Sequence, residues 1–428
     1  MDNPGIILPD RRQLLTSGFA AVATFYINKI TDRSLQRLVR DNKGGTIQAD
    51  RLGIHGAGGS PLPGRQSSAP NETAAINDAI EAISESLGGE GHNLRTRLLF
   101  PTGVYGTDGI IARSDVWLDF GRSVVKKLSN GHDASTNSVI RVIPKFNNKT
   151  FYGNSKNIRV SNGTFDPNGK SAPAHIFGFI YCEDLILENL NAIHRRGNSS
   201  WGFHIGGRRI QAKNINVYNG TDRFQDGIHI YHGEDIEVWP GRIESGDDCI
   251  AIGSEAADHF MKNDPDAIRR VTVHPCTVRS AVASCIKVYR SKGAPDAPSG
   301  DVEDIKIMGV KGVAQSGIAV VIRDYDEGGT VKNNRIRNVS ISSDLALGSK
   351  ADAGLYGLDV KQNGNFVWML GASDITARLR LSDPSNTASD VPKIGTIKRC
   401  TNINLNVNFK GAWKNHFRVI ASDGVTLS

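Results

Sequence analysis

Three aspartates are spaced for acid–base work. Asp247 and Asp248 stand together in "ESGDDCIAIGS" (residues 244–254), just ahead of an alternating apolar run, and Asp226 opens a run of the same form, "DGIHI". Carboxyl groups brought together repel when ionised, and the repulsion is relieved when one keeps its proton. A protonated carboxyl beside an ionised one is the raw material of glycoside hydrolysis: the first serves the leaving oxygen and the second activates water. Aspartates are common at bends for local hydrogen-bonding reasons, but turn chemistry does not account for a doublet stacked on a third.

The stacking follows from a repeat. Asp226-"GIHI", Asp248-"CIAI", Ser284-"CIKV" and Ser316-"GIAV" share one form, and "WGFHI" from Trp201 is an earlier copy. As successive rungs of a parallel β-helix they superpose Ile228, Ile250, Ile286 and Ile318 inside, and likewise Ile230, Ile252, Val288 and Val320. His204, His229, Ala251, Lys287 and Ala319 then form one outward column. Asp226 and Asp248 fall one rung apart, roughly 5 Å between backbones. They share parity with the inward isoleucines, so the chain must kink there to keep the carboxylates wet. Cys249 and Cys285 also stack, but parallel side chains disfavour the dihedral of a disulfide, so reduced thiols are expected.

The rest of the chain is of one kind. Beyond Arg97, short alternating strands such as "VWLDFG", "IRVSNGTFD", "DLILENLNAI" and "IQAKNINVYNG" recur, which makes the fold all-β. Asparagines inside the runs (Asn189, Asn191, Asn214, Asn216, Asn338) suit the side-chain ladders of a solenoid. One convincing helix precedes them: Ala75, Ile76, Ala79, Ile80 and Ile83 fall at helical spacing, with Asn71 as a cap and Gly88-Gly89 as the end. It is expected to cap a single β-helix domain over 71–428, with residues 31–70 a leading segment and the catalytic rungs at about 200–325. Within residues 1–30, Arg11-Arg12 followed by a moderately apolar stretch resembles a bacterial twin-arginine export signal. That implies a periplasmic or secreted protein.

Composition narrows the partners. A net charge of +7 favours an anionic partner, but the basic residues are scattered in pairs rather than gathered in a tail, which argues against nucleic acid. No run of apolar residues is long enough to span a bilayer, so no stable membrane insertion is expected. Five dispersed cysteines, with no CxxC and no His/Cys cluster, offer no zinc signature, and no metal or other cofactor is expected.

"FQDGIHI" followed one rung later by "GDDCIAIGS" resembles the polygalacturonase-type hydrolases, glycoside hydrolase family 28, whose signature is "NTDG" then "DDC". The resemblance extends over roughly residues 95–345 through "FPTGVY", "SNGTFDPNG" and "GGTVKNNRIRNVSI". It implies a right-handed parallel β-helix and an inverting hydrolase in which Asp247 is the general acid while Asp226 and Asp248 hold and activate the water. The chain departs from the family at Phe224-Gln225, where "NT" is usual. Ser284 stands at the family's histidine, and Ala319 and Val321 at its arginine and lysine. Lys287, Arg290 and Arg323 are candidates for the missing cations. His204 and His229 flank the carboxylates and could bond sugar hydroxyls, and Trp201 could stack on a ring. The expected partner is therefore an anionic polysaccharide met by a monomer. Two other readings fit the same fold. A lyase or epimerase would use the three aspartates as calcium ligands with Arg290 or Lys287 as base, and a non-catalytic solenoid would only bind carbohydrate.

Overall fold

The computed structural model describes residues 35–57, 70–87, 94–129, 138–142, 146–147, 150–151, 155–169, 174–195, 200–254, 267–291, 299–315, 318–325, 334–348, 366–382, 394–410 and 417–428. The export-like segment 1–30 and Ser316 lie outside them. Period-two alternation sets the inward face of strands such as Ala372–Ser382, and all the described strands but one short antiparallel pair, Phe146–Asn147 with Thr150–Phe151, join coil upon coil into one 26-stranded sheet. The pairings along it are parallel, as in Phe203↔Ile228, Ile228↔Ile250 and Ile250↔Ile286. This is a parallel β-helix whose core is an internal stack of aliphatic side chains. The sheet begins at Thr46–Gln48, which pairs with Thr96–Leu99. Part of the expected leading segment 31–70 thus carries the first strand of the solenoid.

The expected helix is α1 (Thr73–Ser86), with Ile76, Ala79, Ile80 and Ile83 buried on one face. Asn71 Oδ1 accepts the Thr73 N–H at 3.1 Å. Asn77 ties the helix to the strand beside it, accepting the Ile111 N–H at 2.8 Å and donating to the Gly109 carbonyl at 3.1 Å.

The strands that matter for chemistry are β1 (Ser200–Tyr218), β2 (Ile228–Ser245), β3 (Ile250–Ser254), β4 (Ser284–Arg290), β5 (Ile318–Asp324) and β6 (Val367–Leu370). From β1 to β4 the register is the expected one, with His204, His229, Ala251 and Lys287 in one outward column. At β5 it differs by two residues. Ile286 pairs with Val320 and Lys287 with Val321, so neither Ile318 nor Ala319 occupies its expected place. An even shift leaves every side chain on its own face and changes only its neighbours. The gain is apolar: Ile318 and Val321 pack with Trp368 and Leu370 of β6 in a small separate cluster. The shift also sets Arg323 beside Tyr289.

Stacking organises the corners too. Asn189 donates to Asn162 and Asn214 to Asn189, at 3.2 and 2.9 Å, and Asn216 donates to Asn191 at 3.2 Å. Asn338 belongs to a different corner column, running Asp184, Arg209, Asp235, Arg270, Asp304, Asn338, every member with φ between 52° and 58°. There each arginine forks onto the aspartate of the preceding coil, Arg209 onto Asp184 at 2.7 and 2.9 Å and Arg270 onto Asp235 at 2.6 and 3.0 Å. Described arginines of the paired positions are ladder members: Arg208 and Arg269 bond Glu234 and Glu303, and Arg195 holds Asp166. All five cysteines are free and buried, Cys249 and Cys285 on successive coils as expected. Among the described residues, no helix is long and apolar enough to cross a membrane.

Candidate active site

The turns entering β2 and β3 bring Asp226, Asp247 and Asp248 together. One side-chain oxygen from each lies within 4.8 Å of one from each of the others. Contrary to expectation, the second and third rungs of this column are not wet. Asp248 is 1% exposed and Asp226 6%, and hydrogen bonds replace the water. Asp248 Oδ1 accepts from the Ser284 N–H at 3.0 Å and the Ser284 hydroxyl at 2.6 Å, while Oδ2 pairs with Lys287 Nζ at 2.9 Å. Asp226 Oδ1 accepts the Asp248 N–H at 3.1 Å, and Oδ2 lies 2.8 Å from His229 Nδ1. A buried carboxylate is tolerable only with such partners.

Asp247 is placed differently. It is half-buried, and its Oδ2 accepts the Phe224 N–H at 2.9 Å. Burial first, then the charges of Asp248 and Asp226, push its carboxyl up to about 7. One of the three therefore carries a proton near neutral pH, as the clustering implied. For Lys287, burial favours the neutral amine, but the Asp248 carboxylate beside it prevails and holds the ammonium above the usual lysine range. Its Nζ also lies 4.6 Å from the centre of the Tyr289 ring.

The other sequence candidates divide. His229 is 3% exposed, its second nitrogen 2.7 Å from the Tyr289 hydroxyl. His204 is 6% exposed, with both ring nitrogens enclosed and unpartnered. Burial holds His204 well below the usual imidazole range and brings His175 down to about 3, so this end of the site adds no positive charge. Neither His204 nor His229 presents a nitrogen to a sugar hydroxyl. Trp201 packs on the rings of His175 and His229, centroids 4.6 and 4.3 Å away. Arg290 is 2% exposed and is held by Asp324 at 3.1 Å and the Ser299 carbonyl at 3.1 Å, out of reach of a substrate. Arg323 is partly exposed. Its guanidinium lies between the Tyr325 and Trp368 rings, at 4.0 and 4.4 Å, and it forms no ion pair with a described residue. Its buried Nε has no acceptor among the described residues.

Sequence reasoning missed Tyr289, which links His229 to the Lys287 side of the site. The signal was Gly253, a glycine inside a strand run. A Cβ there would lie 2.0 Å from the Tyr289 ring, which crosses over Gly253 toward His229. It also took Ser284 only as a substitution, whereas both its N–H and its hydroxyl hold Asp248.

Residues 138–342 match the model of glycosyl hydrolases family 28. A search of curated protein sequences found no match. Among solved structures, the chain is similar to a family 28 exopolygalacturonase of Yersinia enterocolitica, at 11% identity and TM-score 0.51, over 88% of this chain and 78% of that one. It is also similar to PfbA, a surface adhesin of Streptococcus pneumoniae, at 13% identity and TM-score 0.50, over 90% and 93% of the two chains. At these identities the likenesses speak for the fold, a right-handed β-helix of the pectin-lyase type. Taken with the "DGIHI" and "DDC" rungs, the family match places a glycosyl hydrolases family 28 region at residues 138–342 of the chain.

Proposed function

We propose that the protein hydrolyses an anionic polysaccharide by single displacement, with Asp247 as general acid and Asp226 and Asp248 orienting the attacking water. The carrying observation is the unequal treatment of three adjacent carboxyls. Asp247 is pushed up to about 7 by burial and by its two neighbours, while Asp248 is tied to Ser284 and Lys287 and Asp226 to His229. A proton donor poised near neutrality suits general acid catalysis.

The carboxyls stand closer than the roughly 6.5–9.5 Å usual for inverting pairs. Direct attack by a carboxylate, the alternative at short range, needs an accessible oxygen. Both oxygens of Asp226 and of Asp248 are engaged, and neither residue is more than 6% exposed. A water held by them is the better nucleophile, and inversion is its consequence. Support for an anionic substrate comes from Arg323, a cation without a carboxylate partner among the described residues. It lies two coils on from Gly253, roughly 10 Å along the solenoid.

The lyase reading gains little. Its metal would have to displace Lys287 from Asp248 and His229 from Asp226, and its base cannot be a lysine held protonated or an arginine buried on Asp324. Export and a monomeric state remain part of the proposal, in keeping with a polymeric substrate outside the cytoplasm. The test is to incubate the protein with polygalacturonate, mannuronan and a sulfated galactan, and to read the new ends by proton NMR. Saturated reducing ends of inverted configuration are expected. An unsaturated, ultraviolet-absorbing product would replace hydrolysis by elimination, and a retained anomer would make one aspartate a nucleophile.

A further inference from the structure

Phe224 is 61% exposed and holds a φ of 63°, in the left-handed region that bulky side chains enter only at a cost. The described non-glycine residues with such φ values are mostly Asn, Asp and Arg at corners. The other aromatic one, Tyr181, packs on the His232 ring at 4.2 Å. Phe224 has no ring partner among the described residues.

The turn that carries it is pinned on both sides. Gln225 is fully buried; its Oε1 accepts the N–H groups of Thr221 and Asp222 at 2.8 and 3.0 Å, and its Nε2 donates to the Arg195 carbonyl at 2.9 Å. Its own carbonyl accepts the N–H groups of Gly246 and Asp247, both at 3.1 Å. Gly246 packs so closely that a Cβ there would lie 2.0 Å from the Asp222 carbonyl oxygen. Between these anchors the strained residue does two things at once. Its amide holds the carboxyl of Asp247, and its side chain is left largely exposed on the same turn. Strain that the surroundings over-determine, next to the reacting group, marks function rather than accident.

We infer that Phe224 is the stacking platform for the sugar whose glycosidic oxygen takes the proton of Asp247, and that this sugar presents an unbroken C–H face. The inference rests on the hydrolase reading above. A phenyl ring has a negative face and neither donates nor accepts a conventional hydrogen bond, so it selects shape and apolar surface, not charge. Recognition of the anionic group is left to Arg323. The substrate class is thereby narrowed to polymers that set a ring with one apolar face at the cleaved bond and an acidic group on the later coils.

Because substitution removes the ring but keeps the amide on Asp247, affinity and turnover should separate. Oligomers of whichever of the three polymers the wild type cleaves are titrated into the Asp247→Asn protein with and without Phe224→Ala, Phe224→Gly or Phe224→Trp. Saturation-transfer NMR from aromatic protons reports the contact. Alanine and glycine should weaken binding roughly 10- to 100-fold and abolish transfer to sugar C–H protons, and tryptophan should preserve both. In the otherwise wild-type enzyme, Phe224→Ala should lower kcat/KM by a similar factor, with most of the loss in KM. Phe224→Gly, which relieves the positive φ, should melt no lower than wild type, so its weak binding cannot be blamed on folding. Binding by the alanine and glycine variants within twofold of the parent would overturn the platform alone. A wild type that neither cleaves nor binds any of the three polymers would overturn the platform and the hydrolase reading together.

Discussion

Two columns of charge run along this solenoid, and they are built on opposite rules. At the corner, Asp184, Arg209, Asp235 and Arg270 alternate in sign coil by coil, and each arginine grips the aspartate before it with two nitrogens. The groups are about half exposed, and the arginines hold Asp184 and Asp235 below the usual carboxylate range. At the cleft, Asp226 and Asp248 follow one another with the same sign, Asp247 is added beside them, and the local carboxyl is pushed up instead. A β-helix superposes like positions, so its sequence decides whether a column attracts or repels itself. Where it attracts, it is scaffold. Where it repels and is held together by Ser284, Lys287 and His229, the arrangement suits the chemistry proposed for it.

Breaking the comparison at its sharpest point should give the largest effect. Asp247→Asn removes the proton donor and should lower kcat roughly 10²- to 10⁴-fold, with oligosaccharide affinity within a few-fold, as steady-state kinetics and calorimetry would show. It should also remove a destabilising charge. The folded-state value, about 7, lies above the ordinary aspartate value of 3.8, so between those values the native state binds more protons than the unfolded chain. Wild-type stability then falls as pH rises through that window. The variant should melt above wild type at pH 8, the gap closing toward pH 4. Equal melting at both pH values would mean that the carboxyls do not repel.

Lys287→Ala strikes the group that makes the repulsion tolerable. Asp248 would be left 1% exposed without its cation, a loss on the order of 3–5 kcal/mol for a broken buried pair. Denaturant unfolding measures it, and a loss below 1 kcal/mol would show that water or another group replaces the ammonium. Arg209→Ala is the control from the other column. Its pairs are solvent-exposed, so it should cost about 0–1 kcal/mol and leave kcat/KM unchanged.

Much of this was legible in the residues. The repeat from Trp201 to Val288 set the register because apolar pairs two residues apart leave little choice of face, and the same stacking brought the aspartates together. It was not enough at Ser316-"GIAV". There a two-residue slip preserves the inside-outside pattern, and only packing against Trp368 and Leu370, far along the chain, chooses between the registers. The chemistry of the aspartates was readable from type and spacing, whereas their burial was not. Partners such as Ser284 and Tyr289 come from later coils and carry no local signature. Arg290 and Arg323 looked alike in the sequence. Three residues after Lys287, Arg290 meets Asp324 on the next coil, while Arg323 meets only rings among the described residues.

The account turns on one proton, and it can be observed without knowing the substrate. Carbon-13 NMR of aspartate side-chain carboxyls, with the Asp247 resonance assigned by its disappearance in Asp247→Asn, follows that group through pH. A midpoint near 7 is expected. A midpoint in the ordinary aspartate range, near 4, would leave no carboxyl protonated at neutral pH and would contradict the assignment of Asp247 as the acid.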